Sequence, residues 1–440
     1  MKQVFRLCCG RYSGTKRVAL CIALTIGSLL FITDYCRAQA SDQPVAYETP
    51  GILDAYEILP PELLEGKNFW LDRRVVSYGL NNRYTINSHF GKFEANGEDM
   101  LRIREHEIKA IGSLREIKKT DAFKAAFKKS ATSSLKGAQA LITDPVDTIK
   151  GVPKGIGKFF SRIGEMTKGG RGDHEDGYAK ELIGYAAVKR QYAHKFGVDV
   201  YSSNKVLQKE LNSVAWAGFA GGMTVTVAMM PVKKASAAAF YAVKGTSLTY
   251  GMNRILLDTS PEDLQQLNRE KMVEMGVREA VIKEFLHNPA YSPRHKTILV
   301  HALAEMQGVK NREQFIKKAL FAEYEEEAFL YQRMAEMLYG YHTHVKPIKE
   351  LVPVRKFAVG YTSDQTVVAT FPIDLLYWTE LSDLGSAALA KLDLSGRPIK
   401  KTELWFTGSL TPKAMQELSA RGLEIKERAG EILMPVAEQE

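Results

Sequence analysis

Beyond residue 36 the 440-residue chain contains no cysteine: Cys8, Cys9, Cys21 and Cys36 are all it has. A form that has lost its first forty residues would keep no thiol. That excludes a disulfide framework, cysteine nucleophiles and thiolate metal sites, and leaves stability to packing. Tryptophan is also sparse. Trp70, Trp216, Trp378 and Trp405 lie far apart and form no stacking platform for single-stranded nucleic acid, so nucleic acid is not an expected partner.

Catalytic signatures are missing as well. His106-Glu107 and His174-Glu175 lack the second histidine four residues on that a zinc-protease helix needs. There is no Gly-x-Ser-x-Gly, and the Ser-x-x-Lys matches at Ser133–Lys136 and Ser202–Lys205 have no companion motifs. Gly155-Ile156-Gly157 follows no strand and lacks the third glycine of a dinucleotide loop, and Glu284 with His287 is one Glu-x-x-His where a di-iron bundle needs two. No metal and no cofactor are expected.

What is present begins with a leader. Lys2, Arg6, Arg11, Lys16 and Arg17 precede the apolar run Val18–Ile32, and Ala38-Gln39-Ala40 has the small-x-small form of a signal-peptidase site. The run is shorter than the ~20 residues of a spanning helix, so residues 1–40 read as a cleaved signal peptide; an uncleaved anchor is the alternative. The expected location is the periplasm or the cell envelope. The leader also carries much of the net charge of +9; without it 54 basic and 50 acidic residues remain. The surplus is local, sixteen Lys/Arg against seven Asp/Glu between Leu101 and Arg171. For an exported protein this suggests an anionic surface such as lipid headgroups.

Periodicity divides the remainder. Residues 41–97 read as a small antiparallel β-meander (FWLDRRVVSY, RYTINSHF, GKFEA) with Trp70, Val75, Tyr84, Ile86 and Phe93 inward. Residues 98–176 turn helical, with Leu101, Ile108, Ile111, Leu114 and Ile117 on one face, and end in the glycine-rich linker Gly164–Gly177. Within them Lys150, Lys154, Lys158 and Arg162 recur every fourth residue beside an apolar series that includes Phe159 and Phe160. Such a basic amphipathic segment can lie against a membrane interface, or pack as an ordinary connector.

Residues 177–346 read as a helical domain built around an apolar hairpin, 211–257. Its first arm, Leu211–Val232, has no charged residue and as one helix would be about 33 Å long, enough either to span a bilayer or to form a buried core hairpin. Trp216 and the Gly218/Gly222 pair, at the four-residue spacing that allows close helix approach, mark its contact face. Ser260-Pro261 then opens a series of helices, among them Arg312–Tyr339. Residues 347–440 read as a small α/β domain with a hairpin about Ser363-Asp364-Gln365.

The sequence therefore specifies a predominantly helical α+β protein. Its expected role is non-catalytic: binding a membrane surface or a helical partner through Lys150, Lys154, Lys158, Phe159, Phe160, Arg162, Trp216, Gly218 and Gly222. The alternative is an exported hydrolase whose site gathers His295, His301, His342, His344 and nearby glutamates; clustering of those histidines is what would favour it.

Overall fold

The computed structural model describes residues 47–131, 175–226, 252 and 255–435, with side chains up to 130 in the first stretch and from 184 in the second. Residues 49–440 form one compact unit and 1–48 another. The larger unit is mixed α+β.

Six short strands open it: β1 (Ile52–Asp54), β2 (Glu65–Gly66), β3 (Phe69–Leu71), β4 (Arg74–Ser77), β5 (Asn82–Ser88) and β6 (Gly91–Asn96). All pair antiparallel in the order β1-β4-β5-β3-β2, with β6 on the opposite edge of β5. Val75, Tyr84 and Ile86 are inward and fully buried, and Phe93 is partly buried. Trp70 corrects the expectation: it is 46% exposed, while Phe69 and Leu71 are buried. The register pairs Leu71 with Ile86 and Trp70 with Asn87, so the odd-numbered residues of β3 face the core and Trp70 faces out, edge-on to His89.

Helix α1 (Glu98–Lys119) follows and acts as the spine of the N-terminal half. Its turn-by-turn apolar series serves two cores. Met100, Leu101 and Ile108 bury against the meander; Ile111, Leu114 and Ile117 bury against later helices. Thr120 accepts from the Phe123 amide and opens α2 (Asp121–Ala131), on which Phe123 and Phe127 stack at i, i+4. Next come α3 (Glu175–Lys195) and α4 (Lys205–Phe219).

A second helical group comprises α5 (Pro261–Glu274), α6 (Glu279–His287), α7 (Pro293–Glu305), α8 (Glu313–Ala319) and α9 (Glu325–Gly340). Ser260 and Ser292 cap α5 and α7, each with proline at the first helical position. The single helix expected over Arg312–Tyr339 is in fact two. The chain turns at Leu320–Tyr324, and Glu325, Glu326 and Glu327 start α9 afresh where acidic side chains suit a helix N-terminus. A short π-helical turn, Tyr341–Val345, ends it.

The C-terminal sheet has five strands in the spatial order Leu423–Lys426, Lys401–Phe406, Thr366–Phe371, Phe357–Thr362 and Ile348–Val354. Strands β7 (Ile348–Val354), β8 (Phe357–Thr362) and β9 (Thr366–Phe371) form an antiparallel meander about the expected hairpin. Strand β10 (Lys401–Phe406) adds parallel to β9, and β11 (Leu423–Lys426) adds parallel to β10, the chain returning through α10 (Glu380–Ala390) and α11 (Pro412–Ala420). One face shares a core with α6–α9, through Val368, Trp405, Met334 and Leu338; the other buries Val367, Ala369, Leu389 and Leu418 under α10 and α11. Burial on both faces is why β8 and β9 are nearly continuous apolar runs.

Asp374, just past β9, is tied to the N-terminal meander and to α1. Its carboxylate accepts from the Glu98 amide at 2.9 Å, the Asn82 amide at 3.0 Å and the Tyr84 hydroxyl at 3.4 Å. Gly97, at φ +88°, has no side chain with which to cap α1, so Asp374 supplies the cap from across the fold. Burial pushes the Asp374 carboxyl up to about 6 despite these donors. The neighbouring backbone adds bonds from the Asp374 and Leu375 amides to Leu80 O and from the Tyr377 amide to Gly79 O. Asp374→Ala removes three acceptor contacts, one of them the α1 cap, and is expected to destabilise the protein by about 2 kcal/mol. A urea titration checks this; an unchanged midpoint would show that the backbone contacts suffice.

Candidate functional site

The residues singled out in the apolar arm fall in a helical layer made by α1, α2, α3 and α4. Asn204 caps α4, accepting from the Val206 and Leu207 amides at 3.1 and 3.2 Å. Leu207, Leu211, Val214 and Ala217 are fully buried against α1 and α3. Trp216 is 4% exposed and lies 6.2 Å from the Tyr185 ring and 6.1 Å from that of Phe219.

The helix expected over Leu211–Val232 stops at Phe219. Gly222 adopts φ +75°, a left-handed conformation that ends helices, so it is not the second member of a helical glycine pair. Gly218 does mark a close crossing: a Cβ there would lie 3.0 Å from Val188 and 3.2 Å from Tyr192 on α3. Gly221 receives the Ala126 carbonyl of α2, and Gly222 lies beside Lys129. Among the described residues no helix is long and apolar enough to cross a membrane. Residues 227–251 and 253–254 of the hairpin lie outside the described residues, as do Lys150, Lys154, Lys158, Phe159, Phe160 and Arg162.

Two buried carboxylates hold this layer together. Glu210 of α4 is met by Arg115 at 3.0 Å and Lys118 at 2.9 Å, both on α1. Glu107 of α1 accepts from Asn204 Nδ2 at 2.9 Å, from Arg104 at 2.8 Å and from the Ser202 hydroxyl. Ser202 is saturated, since its oxygen also accepts from Arg104 at 3.3 Å and from the Asn204 amide at 3.1 Å. A hydroxyl so engaged is a structural link, not a poised nucleophile. Nearby, Lys189 donates to Gln208 at 2.6 Å and burial brings its amine down to about 8, while burial raises Asp199. The Arg104–Glu107 spacing was visible in the sequence; its partners almost a hundred residues away were not.

The four histidines sit in separate settings. His295 packs 6.0 Å from Phe329 with its Nδ1 buried and without a hydrogen-bond partner, and burial lowers it to about 3. His301 lies 3.8 Å from Glu305 on its own helix. His342 Nδ1 accepts from the Ile348 amide at 3.0 Å, and His344 is exposed. Among the described residues no group of three or more His, Cys, Asp or Glu is arranged to hold a metal ion.

The described part of the basic region is α1 from Leu101 on, whose basic side chains pair with carboxylates, and then α2. Its Phe123 and Ala126 face is buried, while Lys124 and Lys128 are exposed. The structure thus brings the basic helix and the end of the apolar arm together at Gly221 and Gly222. No protein-family model, curated protein or solved structure matches this chain.

His106, on the same layer, is buried with Nε2 2.9 Å from the Phe196 carbonyl, and desolvation lowers it to about 4. Its folded value lies below the unfolded one of about 6.5, so the unfolded chain takes up the proton first as pH falls. The stability this neutral imidazole contributes is complete above about pH 6.5 and lost by about pH 4, a change of about 3 kcal/mol. His106→Gln keeps a donor for Phe196 and is expected to flatten the pH dependence of the urea midpoint over that window. An unaltered profile would refute the assignment.

Proposed function

We propose that the protein is an exported, envelope-associated, non-catalytic protein that binds an anionic membrane surface through its basic helical region. The observation that carries this reading is the convergence of α2, with Lys124 and Lys128 exposed, and the end of the apolar arm at Gly221 and Gly222. The chain leaving α2 carries the Lys150, Lys154, Lys158 and Arg162 ladder with Phe159 and Phe160. Cationic side chains beside aromatic ones form the chemistry that adsorbs to anionic headgroups. Trp216 and Gly218 already have partners inside the chain, so the proposed contact rests on the basic ladder and its phenylalanines.

Co-sedimentation with vesicles of anionic and of zwitterionic lipid tests this. Binding is expected on anionic vesicles alone. Changing Lys150, Lys154, Lys158 and Arg162 together to Gln, at about 1 kcal/mol per charge, is expected to weaken it by at least about a hundredfold. Equal binding to both vesicle types, or no effect of the fourfold change, would overturn the proposal.

A further inference from the structure

Helix α10 exposes an unpartnered apolar face. Its inner side is well anchored. Thr379 and Ser382 form a capping box, Ser386 and Leu389 are buried, and Asp383 pairs with Arg421 beyond α11. Its outer side carries Leu381, 63% exposed, and Leu384, 45% exposed, followed by Gly385 and by Ala388, which is half-buried with part of its surface packed on the core beneath α10. These four stand at i, i+3, i+4 and i+7, the stripe by which a helix usually faces a core. Among the described residues, a Cβ placed on Gly385 would meet nothing within 4 Å.

We propose that this stripe pairs with the same stripe of a second copy of the chain, antiparallel, about a two-fold axis passing between Leu384 and Gly385. The register is self-complementary. Leu384 of one copy falls opposite Gly385 of the other, and Leu381 opposite Ala388, so each large side chain meets a small one. Ends and charges agree with the antiparallel choice. Glu380 and Lys391 are exposed at opposite ends of α10, and among the described residues neither forms an ion pair. Antiparallel pairing brings each within reach of the other copy's opposite charge and sets the helix dipoles head to tail. The helix is about 16 Å long, so the contact is small and the association is expected to be weak and concentration-dependent.

Site-directed cross-linking in the full-length chain tests this, with Cys8, Cys9, Cys21 and Cys36 changed to Ser. Gly385→Cys places a thiol beside the proposed axis; Gln416→Cys, exposed on α11, is the control. Mild oxidation is expected to give a disulfide-linked homodimer from the first and not from the second. Adding Leu381→Glu and Leu384→Glu to Gly385→Cys is expected to cut dimer formation at least about tenfold. Both leucines are exposed, so an unchanged urea midpoint will show that the fold survives the charges. The proposal is overturned by cross-linking no greater than that of the Gln416→Cys control, by a homodimer that survives the two glutamates, or by a product whose mass shows a different protein on the face.

Discussion

One carboxylate connects parts of the fold that lie nearly 300 residues apart in the 440-residue chain. Asp374 follows the last strand of the C-terminal meander, yet it accepts from backbone amides 276 and 292 residues away. Helix α1 depends on it because Gly97 offers no cap of its own, and the N-terminal half depends on α1. One end of α1 closes the meander over Val75, Tyr84 and Ile86; the other supplies Ile111, Leu114 and Ile117 to the helical layer and Arg115 and Lys118 to Glu210. Arg333 of α9 adds a second tie to the same end of α1, meeting Asp99 at 2.9 Å. A helix terminus left without acceptors inside such a junction would cost more than the loss of any single apolar contact around it.

Much of this architecture was legible in the chain. The period-two runs marked β4, β5 and β6, the turn at Ser363-Asp364-Gln365 marked β8 and β9, and Ser260-Pro261 marked a helix start, because those signals are local. What could not be read was non-local. Nothing near Gly97 announces that its cap lies beyond residue 370, and nothing near Ser202 or Asn204 points to Glu107. Trp70 misled because its size suggested burial, whereas the strand parity that sets its direction is fixed by pairing with β5. The charge-free run misled by its length. Hydropathy counts Gly221 and Gly222 as neutral, but the positive φ at Gly222 and the carbonyl packed on Gly221 end the helix there.

The candidate site was legible in part, and for the same reason. The basic ladder is a pattern in sequence and needs no fold to be seen. The meeting of α2 with the end of the apolar arm at Gly221 and Gly222 is a tertiary fact. The buried charges nearby are satisfied by their neighbours: Glu107 and Glu210 each have several donors and Ser202 has no free valence. Such clusters rigidify a scaffold and leave its exposed cations to meet a partner. The proposed surface binding draws on the exposed cations, while Glu107, Glu210 and Ser202 serve the scaffold.

The most direct test of that account is fractionation of cells expressing the full-length chain, followed by separate washes of the membranes with high salt and with alkaline carbonate. Peripheral attachment through cationic side chains predicts a protein that sediments with membranes at low salt and is released by either wash, because screening weakens headgroup attraction. Recovery in the soluble fraction at low salt, or retention through both washes, would contradict it.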